Sequence, residues 1–135
     1  NINYYRLFIA NFGEDLGITA LKITDGEGNV RRTGVVHVDG QLEDITDIDL
    51  ITNWTDSKDP RSMRLMLRTA KRAATLEGEV LTLAPLRNRR KVGDAMFVSR
   101  IAEGFTEWRW DERTGLGVSE YIERVEGGQP VGFPQ

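Results

Sequence analysis

Nine cations crowd the middle of the chain: Arg61, Arg64, Arg68, Lys71 and Arg72, then Arg87, Arg89, Arg90 and Lys91. Arginine forks grip carboxylate and phosphate oxygens through paired N–H groups, so this set points to an anionic partner. Tyr4, Trp108 and Trp110 would give nucleic-acid bases a surface to stack on if exposed. A formal net charge of −3 weighs against a long polyanion, because nucleic-acid domains are usually basic.

The carboxylates Glu43, Asp44, Asp47 and Asp49 stand close together. A calcium loop needs alternating oxygens, a glycine at its sharp turn and a terminal glutamate. This stretch lacks that spacing and that glycine, so it reads as an acidic docking surface with no metal. His37 is the only histidine and has no evident partner for base or ligand chemistry. Glu107, Glu120 and Glu123 offer carboxylates, but glycoside hydrolysis needs a pair opposed across a cleft. No G-x-S-x-G is present, and the glycines of Asp25–Gly28 are followed by neither Lys-Ser/Thr nor a helical pattern. With no cysteine there is no thiolate chemistry and no disulfide. The expectation is a protein without enzymatic activity, cofactor or metal.

The charge is unevenly distributed. Residues 1–57 carry four Lys/Arg against ten Asp/Glu, residues 58–91 ten against three, and residues 92–135 four against eight. Three causes fit: neutralisation within one fold, docking of one copy's basic surface on another's acidic one, or an anionic ligand. The favoured reading is a self-associating structural subunit, of the kind found in virion-like assemblies, using complementary acidic and basic surfaces. Val131 and Phe133 in the Gly/Pro tail would then dock on a neighbour. The alternative is a nucleic-acid-binding module using a basic helix face and the 87–91 loop.

The elements that must position these residues follow from periodicity. Asp59 suits an N-cap, Pro60 a first helical position and Gly78 a C-terminal cap. Met63, Met66, Leu67, Ala70, Ala73 and Ala74 follow i, i+3, i+4, i+7 spacing, which predicts an amphipathic helix over residues 60–77 with its arginines outside. Strands are predicted at 3–12, 18–24 and 30–38, with a hairpin turn at Asp25–Asn29. Gln41 to Lys58 reads as an irregular acidic segment with a short strand near Asp49–Trp54. Beyond the helix, strands are predicted at 79–86, 95–102, 105–111 and 116–125, with a basic loop at 87–91. The expected fold is one α+β domain over residues 1–126, mainly antiparallel β (a sheet, small barrel or sandwich) with one central helix, and a flexible tail over 127–135. The helix between the third and fourth strands is also the element order of an oligonucleotide-binding barrel. No run of about 18 apolar residues suggests a membrane span, and no signal-like start is seen, so a cytoplasmic or particle-bound location is expected.

The opening Y-R-L-F-I-A-N-F-G-E-D-L-G-I-T-A-L-K-I-T-D-G-E-G-N, residues 5–29, resembles the first hairpin of discoidin-like carbohydrate-binding sandwiches. The resemblance carries no site residue and fails beyond residue 29, because a long helix is predicted where that family has strands.

Overall fold

Apolar residues alternate with polar ones through most segments, the period of a strand with one buried face. The computed structural model describes residues 2–131, and these form strands and turns with no helix. The strands are β1 (Ile2–Asn11), β2 (Leu16–Asp25), β3 (Val30–Val38), β4 (Gln41–Trp54), β5 (Pro60–Thr69), β6 (Ala73–Val92), β7 (Ala95–Trp110), β8 (Arg113–Glu126) and β9 (Gln129–Pro130). Each pairs antiparallel with the next, and β8 returns to pair with β1 from Tyr4↔Glu123 to Asn11↔Leu116. The result is a closed, eight-stranded up-and-down barrel with β9 added along the end of β8. Closure covers most of the sheet edges that an open sheet would expose, although β3 and β4 pair only where Val35–Val38 meet Gln41–Asp44.

The predicted α+β class is therefore corrected to all-β, and the helix at 60–77 is absent. Two periods compete in Ser62 to Thr69. Met63, Leu65, Leu67 and Thr69 are buried, while Arg64 and Arg68 are exposed, which is a period of two. Pro60 begins β5, a place where a strand tolerates its missing N–H. Ala70, Lys71 and Arg72 are good helix formers, yet they make the turn between β5 and β6. Thr69 Oγ1 accepts from the backbone N–H groups of Lys71 and Arg72, both at 3.1 Å. Tertiary pairing on both sides of β5 overrides a weak local preference. Gly78 caps nothing. Its missing side chain makes room for Met63 and Trp108, because a Cβ there would lie 2.6 Å from Met63 Sδ and 2.8 Å from the Trp108 ring.

Other boundaries shift for the same reason. The acidic stretch is the long strand β4, not an irregular segment. The 87–91 loop is strand, part of a β6–β7 hairpin that runs beyond the barrel as an arm. The two predicted strands at 95–102 and 105–111 are one, β7. The predicted turn at Asp25–Asn29 holds, with Asp25 Oδ1 accepting from Glu27 N and Asn29 N at 2.9 and 3.0 Å; between β3 and β4, Asp39 and Gly40 both take positive φ, as a two-residue hairpin requires. The discoidin-like sandwich is not seen, since residues 5–29 belong to a closed barrel.

The interior has two halves. At the end closed by tight turns, Phe8, Phe12, Ile18, Val36, Leu67, Leu76 and Trp108 fill it. Phe8 meets the rings of Trp108 and Tyr121 edge-on, both at 5.8 Å. Each such side chain contributes about 1.5–3 kcal/mol on burial. At the arm end the inner face turns polar, with Arg6, Lys22, Thr24, Arg100 and Glu123 all buried.

Candidate functional site

The nine predicted cations are not brought together. Arg61, Arg64 and Arg68 lie on or beside the outer face of β5, next to the acidic strand β4. Arg64 Nε donates to Glu77 Oε1 at 2.7 Å, and Arg68 stands opposite Asp47. Lys71 and Arg72 sit in the β5–β6 turn, at the end of the barrel away from the arm. Arg72 grips Glu43 with two hydrogen bonds of 2.8 Å, and Thr69 Oγ1 adds a third at 3.0 Å. The Arg72 guanidinium, then Thr69, hold the Glu43 carboxyl below the usual carboxylate range. Asp44 and Asp49 are exposed on β4, and Asp47 lies 3.7 Å from Arg32 Nε. Part of the charge partition is thus neutralised within the fold, on neighbouring strands.

Arg87, Arg89, Arg90 and Lys91 divide between the two faces of the arm. Register places Arg87, Arg89 and Lys91 on the face that continues the barrel interior, opposite Arg100, Val98 and Met96. Leu86, Asn88 and Arg90 lie on the other face, opposite Ile101, Ser99 and Phe97. On that outer face, a hollow of about 560 Å3 is lined by Arg90, Arg124, Ile2, Val92, Phe97 and neighbouring polar side chains.

The aromatic stacking platform is not formed, because Tyr4 and Trp108 are core residues and Trp110 packs on Phe12 at 6.0 Å. His37 is a half-buried strand residue. Among the described residues no group of three His, Cys, Asp or Glu could hold a metal ion. Val131 donates its backbone N–H to Arg124 O at 2.7 Å within its own chain. Phe133 lies outside the described residues.

Sequence reasoning missed the most unusual surface. The outer face of a barrel strand should carry its polar residues. Here one cross-strand row reads Ile23, Tyr5, Ile122, Ile101, Leu86 over β2, β1, β8, β7 and β6. Two residues along each strand the row is Leu21, Leu7, Glu120, Glu103, Ala84, and the next contains Ile9, Val118 and Phe105. Leu86, Phe105 and Ile9 are 49%, 45% and 39% exposed. The signal was available in β1, where Tyr5, Leu7 and Ile9 alternate with Tyr4, Arg6 and Phe8, so that both faces are largely apolar. Burial, and then the like charge of Glu103, push the Glu120 carboxyl up.

The second missed feature is the ionic cluster at the arm end. Arg6 is fully buried and donates to Glu123 Oε1 at 2.7 Å. Its guanidinium lies between the rings of Tyr4 and Tyr121, 4.6 and 4.5 Å from their centroids. Such contacts hold a desolvated cation. Burial pushes the Arg6 pKa down and Glu123 pulls it back up. Arg100 Nη2 is 3.4 Å from Glu123 Oε2, close enough for charge attraction though not aligned as a hydrogen bond. Arg100 also reaches the β4–β5 turn, donating to the carbonyls of Ser57 and Lys58, and so ties that turn over the barrel end.

The domain family DUF7064, a domain of unknown function, matches residues 1–125, and the chain belongs to that family. No curated protein and no solved structure matches it.

Proposed function

We propose that this DUF7064 domain is a non-enzymatic interaction module that pairs with a second copy of itself through the outer face of β2, β1, β8, β7 and β6. The observation that carries this reading is the pair of apolar rows flanking Glu103 and Glu120. An apolar face of this extent on an exposed sheet marks a docking surface. Two opposed carboxylates at its centre call for a cation from the partner.

A second copy supplies both. Arg90 and Phe97 lie on the same outer face, six residues along β7 from Glu103. A two-fold axis at the level of Arg100, lying between the sheets and across the strands, brings each copy's arm over the other's carboxylates. Such an interface is self-complementary, as two-fold pairing requires. Around a closed eight-stranded barrel these five strands curve through about half the circumference, so β1, β8 and β7 face the partner while β2 and β6 form the rim of the contact. The nucleic-acid reading is not carried forward, since its helix is absent and its cations are divided between the β5 face, the β5–β6 turn and the arm.

Light scattering over a range of concentrations tests the reading. The wild-type chain should be a dimer, and Phe105→Asp with Leu86→Asp, both at exposed positions, should leave a folded monomer. A monomeric wild type, or a dimer indifferent to these changes, would overturn it.

A further inference from the structure

Three large apolar side chains stand about half exposed around one hollow: Ile2 at the start of β1, Val92 at the end of β6 and Phe97 on β7. The hollow has a volume of about 560 Å3, within the roughly 300–1,000 Å3 of small-ligand clefts. It lies on the outer face of the arm, where the β6–β7 hairpin leaves the barrel. A polar cross-strand row lines it as well, with Asn88 on β6, Ser99 on β7 and Arg124 on β8 in register.

The two cations of the hollow are not equivalent. Arg124 Nη2 is 3.0 Å from Glu126 Oε1, so its charge is already balanced. Arg90, opposite Phe97 on the arm, is exposed and meets no carboxylate among the described residues. The Ser99 hydroxyl and the Asn88 amide likewise have no hydrogen-bond partner among the described residues. Apolar walls with a few convergent polar groups are what orient a small ligand in a cleft. One uncompensated guanidinium calls for one negative charge. A phosphate monoester carries nearly two at neutral pH and would need a second free cation, which Arg124 does not supply. A carboxylate matches both the single charge and the fork of Arg90.

We infer that the hollow at the base of the arm binds a small aliphatic monocarboxylate, its head held by Arg90 with Ser99 and Asn88 and its chain lying on Ile2, Val92 and Phe97. Arg90 and Phe97 also belong to the pairing face, but binding needs no second copy. A chain that stays monomeric and binds the carboxylate would sink pairing alone. A chain that pairs, yet ignores the carboxylate once diluted to monomer, would sink this inference alone.

Titration calorimetry tests the site, at a dilution where sedimentation shows monomer. The probes are octanoate, acetate, octyl phosphate and neutral octanol. Saturable binding of octanoate at one site per chain is expected, with the other three much weaker. Arg90→Gln, at an exposed position that the fold does not depend on, should weaken octanoate binding by about tenfold or more, the loss of a charge-assisted hydrogen bond. Ser99→Ala should weaken it less. Arg87→Gln, on the opposite face of the same arm, should leave it unchanged. No saturable binding of octanoate, equal or tighter binding of octanol or octyl phosphate, an unchanged affinity in Arg90→Gln, or an equal loss in Arg87→Gln would overturn the inference.

Discussion

Glu103 and Glu120 stand directly opposite each other on β7 and β8, two like charges in register on the outer face of the barrel. Opposed like charges on a sheet are destabilising, and here they sit among Leu7, Ile101, Phe105 and Ile122. Glu120→Gln should therefore stabilise the isolated barrel at neutral pH by about 0.5 kcal/mol. The sign follows from the direction of the shift. Burial and Glu103 raise the Glu120 carboxyl above its ordinary 4.5. Its favourable contribution is complete below 4.5 and is lost as the pH rises through the raised value. The advantage of Gln should thus be present at pH 7 and fade below 4.5. Urea unfolding at protein concentrations too low for pairing separates this effect from association.

The Arg6–Glu123 pair is a structural commitment of the interior. Removing one partner of a buried pair leaves an uncompensated charge and costs about 3–5 kcal/mol. Glu123→Gln should fall in that range, since both Arg6 and Arg100 lose their carboxylate. Replacing the pair with Met at position 6 and Leu at position 123 should cost much less than the single change. Denaturant midpoints of the three proteins would show the difference.

Barrel closure depends on Gly117. A Cβ there would collide with the Ile9 carbonyl oxygen on β1, across the β1–β8 seam. Gly117→Val should destabilise the protein by about 2–3 kcal/mol through overpacking. Faster hydrogen exchange at β1 amides, ahead of those in β5, would locate the damage at the seam.

Acid should loosen the tight-turn end. Asp15 accepts two hydrogen bonds from Arg113, at 2.6 and 2.7 Å, and Arg113 holds its carboxyl down at about 2. A carboxyl depressed in the fold stabilises above its ordinary 3.8, and that contribution is lost as the pH falls from there through about 2. Glu43 under Arg72 shifts in the same direction. Thermal scans should show the wild-type midpoint dropping over this window. Asp15→Asn should start lower at pH 7 and drop less.

Much of the sheet was legible because turn chemistry is local. Asp25 to Asn29 and Asp39-Gly40 announce hairpins whatever surrounds them, and β1, β2 and β3 follow from them. The error at 60–77 has a physical cause: Met63, Met66 and Leu67 satisfy a helical period, while Met63, Leu65 and Leu67 satisfy a strand period. Only pairing with β4 and β6 decides between them. The charge blocks were legible as composition, but Arg72 on Glu43 and Arg64 on Glu77 depend on strand register. The acidic pair on the outer face joins residues seventeen apart in β7 and β8.

Sedimentation equilibrium of a charge-swap set tests the pairing surface most directly. The set is wild type, Arg90→Glu, the double change Glu103→Arg with Glu120→Arg, and all three together. The wild type should be a dimer, each separate reversal should weaken it by about a hundredfold, as expected for like charges forced together, and the combination should restore it. A wild type that stays monomeric, or reversals that leave the dimer intact, or a combination no better than its parts, would contradict the pairing of Arg90 with Glu103 and Glu120.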